Sequence, residues 1–244
     1  MTNFDEYKTE IIGISTEIGI ADYYGVPIDS KYRLRGNDNL IEVVKAAIAL
    51  LEEDFKFPKP TKHIAEKQNP VDFLLQNQAT LSVKTNKSNS NKVAPQIIGQ
   101  PTANTYFNYF ERILNIETPD NRNDKIKLFK ELSIKNIDVI MEHYWNNLFH
   151  CDYMIYMFDF LNKDGSLKEL PTYVGFTKLE SPLWEKEKFS FTQSIESWNE
   201  SNTVKYNNVT IGEFQVHNNR DTFKFRFNIR NLYNSIIKDL IETD

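Results

Sequence analysis

Apolar residues recur every three or four positions in two early segments of the chain, which is the spacing of amphipathic helices. The first segment covers residues 3–24 and carries Ile11, Ile14 and Ile18 on one face. Asn3 and Glu6 resemble a capping box at its start. The second segment covers residues 39–55, and two prolines soon after it end helical structure. The chain is therefore predicted to begin with two helices.

A period-2 pattern follows in residues 71–75, where Val71, Phe73 and Leu75 alternate with Asp72 and Leu74, and in residues 80–84, which predicts a β-hairpin. If its loop is residues 76–78, Asp72 lies opposite Ser82. Directly opposed residues share a sheet face, as do residues two apart in one strand, so Asp72, Ser82 and Lys84 would project together. The residues predicted to face the core are Val71, Phe73, Leu81 and Val83.

The rest of the chain predicts first helices and then strands. Helices are expected at residues 102–114 and, with an interruption, at 124–149, after a short stretch at 93–99 that reads as a strand broken at Pro95. Strands are expected at 153–160, 172–177, 189–193, 209–217 and 222–228, before a closing helix at 229–241. We predict a mixed α/β (α+β) fold in one domain over residues 1–244, with a helical elaboration at about 102–150 and a strand-rich carboxy-terminal third.

Composition and charge narrow the class of protein. The net charge of −5 argues at first against a nucleic-acid partner, yet residues 73–110 contain no Asp or Glu and include Lys84, Lys87 and Lys92. That window fits a cleft facing phosphate, or equally a solvated polar loop. With a single cysteine, Cys151, the chain holds no internal disulfide. No apolar run is long enough to span a membrane and no targeting segment is evident, so we expect a cytoplasmic protein.

The pairing of Asp72 with Lys84 on one polar strand face suggests metal-assisted phosphodiester cleavage. The carboxylate would hold Mg²⁺, and the amine would position and deprotonate a water. The alternative is an ordinary surface pair flanking a hairpin.

The motif Pro70-Val71-Asp72 followed by Ser82-Val83-Lys84 resembles the catalytic core of the PD-(D/E)XK nucleases and, within them, the type II restriction endonucleases. It departs from the family pattern in two ways, because one residue separates proline from aspartate and serine stands in place of the second acid. The resemblance implies a restriction-endonuclease-like core, in which a central mixed sheet is flanked by helices. It also implies a Mg²⁺ site completed by the main-chain carbonyl of Val83.

The missing acid must then come from another segment. Glu17 is the first candidate, because it borders the buried stripe of the first predicted helix and amino-terminal helices of this family often supply an acid. It could equally be an ordinary boundary glutamate. Gln96, Glu111 and Glu66 are weaker alternatives. The predicted catalytic set is Asp72, Lys84, Ser82 and Glu17, with Asp72, Glu17 and Val83 as metal ligands.

Candidate DNA contacts fall into three groups of polar and basic residues. Arginine suits guanine edges and phosphates, and asparagine suits adenine edges. The first group is Arg33 and Arg35. The second follows the hairpin and comprises Asn86, Lys87, Asn89, Asn91, Lys92 and Gln100. The third is the turn His217, Asn218, Asn219 and Arg220, with Lys224 on the following strand. Solvated surface positions are the alternative for each group.

These observations together predict a Mg²⁺-dependent, sequence-specific endonuclease for double-stranded DNA. Because such enzymes usually cut palindromes, a homodimer is expected, and the cell would need a cognate DNA methyltransferase to protect its own sites. The alternatives are a repair or RNA nuclease with the same core, and a non-catalytic module that binds nucleic acid.

Overall fold

A computed structural model describes residues 7–65, 69–87, 91–217, 220–238 and 240. These residues divide into two compact units. The first unit takes its residues from Met1–Asn91 and Cys151–Lys178, and the second from Lys92–His150 and Leu179–Asp244. The assignment of the whole chain to a single nuclease domain stays a prediction.

Three helices in the first unit precede its strands. Helix α1 spans Thr9–Tyr24, α2 spans Ser30–Arg33 and α3 spans Asp38–Asp54. Gly25 ends α1 in the left-handed conformation (φ 69°), where a residue without Cβ is favoured. The Asn37 side chain caps α3 by accepting a hydrogen bond from the Leu40 N–H (3.2 Å). The two long helices are those predicted from periodicity, while the proposed capping box at Asn3 lies outside the described residues.

The first unit contains a five-stranded mixed sheet. Its strands are β1 (Pro60–His63), β2 (Phe73–Leu75), β3 (Thr80–Asn86), β5 (Tyr153–Phe158) and β6 (Thr172–Thr177), in the spatial order β1-β2-β3-β5-β6. β3 and β5 run parallel, and the other neighbours are antiparallel. The predicted mixed α/β fold is confirmed, and the arrangement is consistent with a restriction-endonuclease-like core.

Helices α1 and α3 and this sheet share one apolar core. Phe73, Leu81 and Ile155 are fully buried in it from the sheet side. The two helices approach closely at Gly19, where an added Cβ would lie 2.7 Å from Val44 Cγ1. Glycine at this position therefore allows α1 and α3 to pack in contact, and it fixes the position of the α1 residues on the same turn.

The second unit combines three long helices with an antiparallel sheet. The helices are α4 (Ala103–Leu114), α5 (Arg122–Lys135) and α6 (Ile137–Leu148), and Asn136 provides the predicted interruption between the last two. The sheet has the order β4-β10-β9-β8-β7, with β4 at Lys92–Val93, β7 at Phe189–Phe191, β8 at Ser201–Tyr206, β9 at Val209–Val216 and β10 at Phe223–Asn228. Helix α7 (Ile229–Leu232) continues as a π-helical turn over Tyr233–Ile237.

Aromatic side chains form much of the core of the second unit. Along β10, Phe223, Phe225 and Phe227 are buried and alternate with half-buried polar residues, as the sequence predicted. Phe223 stacks on Phe129 of α5 with ring centroids 4.2 Å apart, and Phe225 stacks on Tyr144 of α6 at 4.4 Å. These stacks join the helices to the sheet.

The sequence reasoning missed two strands and overestimated one. β1 and β8 were not predicted, and residues 93–99 contribute only Val93 to a strand before the chain turns. Within the described residues, no helix is long and apolar enough to cross a membrane.

Candidate active site

The hairpin of β2 and β3 has the predicted register. Phe73 pairs with Leu81 and Leu74 with Thr80, which places Asp72 opposite Ser82. The loop is residues 76–78, with Gln78 in the left-handed conformation (φ 66°) that closes a three-residue hairpin. The Asp72 main chain is fixed on both sides: its N–H donates to the Leu81 carbonyl (3.0 Å), and its carbonyl accepts from the Ile64 N–H (2.9 Å).

The Asp72 carboxylate is buried and lies in a field of neighbouring charges. Its pKa is raised to about 6: burial is the largest cause, the charge of Glu17 acts in the same direction, and Lys84, the hydrogen bond from Val83 and the nearby Ser82 hydroxyl oppose the rise. The Val83 N–H donates to Asp72 Oδ2 at 2.6 Å. Because a raised carboxyl pKa means that the charged form is under-compensated, this position favours a cation.

Lys84 belongs to the same cluster. Burial lowers the pKa of its amine, and the charges of Asp72, Cys151 and Glu17 act in the opposite direction. Asp72 and Lys84 are thus brought together as the shared strand face predicted. A lysine with a lowered pKa exchanges a proton near neutral pH more readily than an exposed lysine.

Ser82 lies opposite Asp72 and two residues before Lys84, and it is fully buried. Its hydroxyl approaches Asp72 closely enough to lower the pKa of the carboxyl, yet it makes no hydrogen bond of regular geometry with any described residue. A hydroxyl carries no charge, so it does not replace the acid that the family pattern has here. The two strands alone supply one carboxylate to the site.

Glu17 reaches the site from α1. Its charge acts on both Asp72 and Lys84. Its Oε2 accepts hydrogen bonds from the Tyr32 hydroxyl (2.6 Å) and from His63 Nε2 (2.8 Å). The two carboxylates therefore share one electrostatic environment, which is what a shared cation would require. The assignment of Glu17 as a metal ligand stays a prediction.

None of the other three candidates for the second acid is a described residue of the first unit. Gln96 and Glu111 belong to the second unit, and Glu66 lies outside the described residues. Within the described part of the chain, no group of three or more His, Cys, Asp and Glu side chains is placed to hold a metal. A site of two carboxylates would need a main-chain oxygen as well, the role predicted for the carbonyl of Val83.

Tyr32 and His63 were not identified from the sequence. His63 ends β1 and pairs opposite Phe73, next to Asp72, so an antiparallel neighbour brings it to the site. β1 is short and carries polar side chains, and it lacks the apolar alternation by which strands are recognised. Tyr32 lies next to Arg33 in a polar segment of the sequence. That segment predicted a turn and gave no sign of a contact with Glu17.

The predicted DNA-contacting residues of the first unit surround α2 and the end of β3. Arg33 forms an ion pair with Asp22, and Arg35 pairs with Glu10 at 2.7 Å. Asn86 ends β3, where its carbonyl accepts from the Asp159 N–H (3.2 Å). The remaining two of this unit are half-buried: Lys87, and Asn91, which has a positive φ of 48°. Asn89 lies outside the described residues.

The remaining DNA-contact candidates lie in the second unit. Lys92 pairs with Glu213 at 2.9 Å, and Gln100 is exposed. Burial lowers the pKa of Lys224, and Arg226 and Arg220 lower it further. Asn218 and Asn219 lie outside the described residues.

Arg122 shapes the start and end of the predicted recognition turn. Its guanidinium donates to the main-chain carbonyls of His217 (2.6 Å) and Arg220 (2.7 Å). This arginine was not singled out from the sequence, because its contacts are to main-chain atoms almost a hundred residues away. His217 and Arg220 are therefore both tied to the start of α5.

One comparison with known proteins bears on this geometry. The chain is 35% identical, over 224 residues, to the type II restriction enzyme CviAII of Paramecium bursaria Chlorella virus 1. The chain is similar to a type II restriction enzyme. The match covers 92% of this chain, and the chain spans 59% of the length of that relative.

The similarity supports the resemblance to type II restriction endonucleases that was drawn from the hairpin motif. It extends well beyond the hairpin, since it includes nearly the whole chain. No protein-family model matches the chain, and no solved structure matches it.

Proposed function

We propose that this chain is a Mg²⁺-dependent, sequence-specific endonuclease for double-stranded DNA, acting as a type II restriction enzyme. The observation that carries the proposal is the buried cluster in which Asp72, Lys84 and Glu17 act on one another's charge. The similarity to a type II restriction enzyme over 92% of the chain supports the same class.

The residues at the cluster fit a divalent cation. Carboxylate oxygens are the ligands that Mg²⁺ prefers, and the raised pKa of Asp72 indicates a place where positive charge is wanted. We expect Asp72, Glu17 and the Val83 carbonyl to hold the ion. When bound, Mg²⁺ supplies positive charge to the phosphate oxygens and to the attacking water.

Lys84 would act as the general base that accepts a proton from the attacking water. Its buried amine, with a lowered pKa, spends more time neutral than an exposed lysine does. The neutral amine can accept a proton from the water as its oxygen forms a bond to phosphorus and the bond from phosphorus to the leaving sugar oxygen breaks. The ammonium that results stays paired with Asp72. The buried Ser82 hydroxyl beside Asp72 is available to donate to that carboxylate.

The proposal includes partners that follow from the reaction. A palindromic DNA site calls for a homodimer, and the host needs a methyltransferase that protects the same sequence. We also expect the enzyme to act in the cytoplasm. A mass of one chain by light scattering, measured with bound DNA, would contradict the dimer.

Cleavage of plasmid or phage DNA in Mg²⁺ tests the function. Discrete fragments are expected. A smear would indicate a nonspecific nuclease, the alternative that keeps the same core, and intact DNA would indicate a module that only binds.

Variants of the cluster test the assignment of the site. Asp72→Asn and Lys84→Ala should each slow cleavage by at least about 100-fold without unfolding the protein. Asp159→Asn is a matched control, because Asp159 also pairs with a lysine, Lys168, at 2.6 Å in the same unit. Unchanged cleavage by Asp72→Asn or Lys84→Ala would refute the assignment of the site. A comparable loss of cleavage in Asp159→Asn would show that the effect is not particular to the Asp72–Lys84 pair.

A further inference from the structure

Two side chains fix the carboxylate of Glu17. The Tyr32 hydroxyl and His63 Nε2 both donate to the same oxygen, Oε2, at 2.6 and 2.8 Å. We propose that Tyr32 and His63 are positioning residues, which orient Glu17 so that its other oxygen, Oε1, binds the divalent cation at the Asp72 site. This inference rests on the proposed function, since it concerns the same metal site.

The two contacts divide the Glu17 carboxylate into an occupied and an available oxygen. Within the described part of the chain, both hydrogen bonds that Glu17 accepts fall on Oε2. A carboxylate held at one oxygen loses its freedom to rotate, so the direction of the other oxygen is set. The charge of Glu17 acts on Asp72, so the two carboxylates lie within electrostatic range of each other.

The donors are themselves held rigidly. The His63 side chain is 3% exposed, and its ring packs against the rings of Tyr32 (centroids 4.9 Å apart) and Phe73 (5.1 Å). Because Phe73 follows Asp72 directly, the imidazole is tied to the strand that carries the first ligand. A carboxylate only accepts hydrogen bonds, so Nε2 must carry the proton in this contact.

Tyr32 is suited to donate to Glu17, because a phenol that meets an ionised carboxylate can only act as the donor. The Arg35 guanidinium lies over the Tyr32 ring, 5.4 Å from its centroid, and the Asp29 side chain accepts from the Tyr32 N–H, so the residue is held from both ends.

The expected consequence is on metal affinity. Residues that hydrogen-bond to a ligating side chain typically change metal affinity about 10- to 100-fold when they are removed. Loss of either donor would free the Glu17 carboxylate to rotate. The metal would then have to order this side chain when it binds, which weakens its affinity. DNA binding in the absence of metal should be unaffected.

The test compares Tyr32→Phe and His63→Leu with Tyr23→Phe. The control removes a tyrosine hydroxyl that donates to Glu52 Oε2 at 2.9 Å, a contact of the same kind between α1 and α3. Mn²⁺ binding is titrated calorimetrically on the DNA-free protein, and the Mg²⁺ concentration for half-maximal plasmid cleavage is measured separately. We expect the dissociation constant for Mn²⁺ and the half-maximal Mg²⁺ concentration to rise about tenfold or more in the two site variants. Both values should stay within about twofold of wild type in the control.

A double variant separates positioning from a general loss of structure. If Tyr32 acts through Glu17, then Tyr32→Phe should add nothing to the loss of Mn²⁺ affinity already caused by Glu17→Gln. His63→Gln retains a donor and should keep more affinity than His63→Leu. An additive loss in the double variant, or wild-type metal dependence in Tyr32→Phe and His63→Leu, would overturn the inference.

The outcomes also distinguish this inference from the proposed function. A wild-type protein that neither binds Mn²⁺ nor cuts DNA would contradict the proposed function. A wild-type protein that cuts DNA, together with a Tyr32→Phe variant that has the same metal dependence, would contradict only the positioning role.

Discussion

The buried carboxylate of Asp72 should make the metal-free protein less stable as the pH rises. The pKa of this group is raised from 3.8 to about 6, and burial is the largest cause. An acid whose pKa is higher in the folded state binds its proton more tightly there. The stabilising contribution is therefore fully present below about pH 4 and is lost as the pH rises through 6.

The magnitude follows from the displacement of the pKa. At about 1.4 kcal/mol for each pH unit, a change from 3.8 to about 6 corresponds to about 3 kcal/mol between strong acid and pH 7.5. Because the unfolded group is already partly ionised at pH 4, about 2 kcal/mol of this should appear between pH 4 and pH 7.5. Asp72→Asn removes the ionisation, so its stability relative to wild type should rise by that amount over the same range.

Urea unfolding in EDTA, followed by circular dichroism at several pH values, measures the effect. Asp152→Asn serves as a control of opposite sign. Hydrogen bonds from Thr80 lower the pKa of Asp152, so its contribution to stability is present at neutral pH and lost in acid. A stability difference between Asp72→Asn and wild type that is the same at pH 4 and pH 7.5 would refute the reasoning about burial.

Two further predictions concern packing and DNA contact. Gly19→Ala should destabilise the protein by about 1–3 kcal/mol in urea unfolding, because the added Cβ would lie 2.7 Å from Val44 Cγ1. Gly13→Ala is the control and should be neutral or stabilising, since its Cβ would meet only Thr85 Oγ1 at 3.5 Å. Equal effects of the two substitutions on stability would contradict the close approach of the helices. Arg33→Ala and Arg35→Ala should each make the negative slope of log DNA affinity against log salt concentration shallower by about 1. Fluorescence anisotropy without metal measures this slope, and an unchanged slope would exclude phosphate contacts by these residues.

Local patterns in the sequence were sufficient to predict the hairpin and the long helices. The register of Asp72 against Ser82 depends on a three-residue loop and on period-2 alternation, both of which can be read within fifteen residues. The break at Asn136 and the aromatic face of β10 are also local features. Where the interaction is between neighbours in sequence, the pattern carries the information.

The parts that the sequence did not predict depend on contacts between distant segments. His63 reaches Glu17 across 46 positions, and nothing in the polar strand β1 indicates that its histidine is buried. Arg122 holds the turn at Arg220 through main-chain oxygens, which carry no sequence signal. Glu17 was named from the sequence as one of several possible acids and stays a prediction, because periodicity can place a residue on a helix face but does not say what that face meets.

The position that we propose for the second acid has a physical reason in the fold. The site that the family pattern gives to an acid is occupied by Ser82, which is fully buried between strands. Its hydroxyl has no hydrogen-bond partner among the described residues, and a charge buried at that place without a partner would cost several kcal/mol. On α1 the acid at Glu17 remains partly exposed (14%) and meets two donors, Tyr32 and His63. If Glu17 is the second acid, its place on the helix keeps its charge near Asp72 while two hydrogen bonds satisfy it before any cation binds.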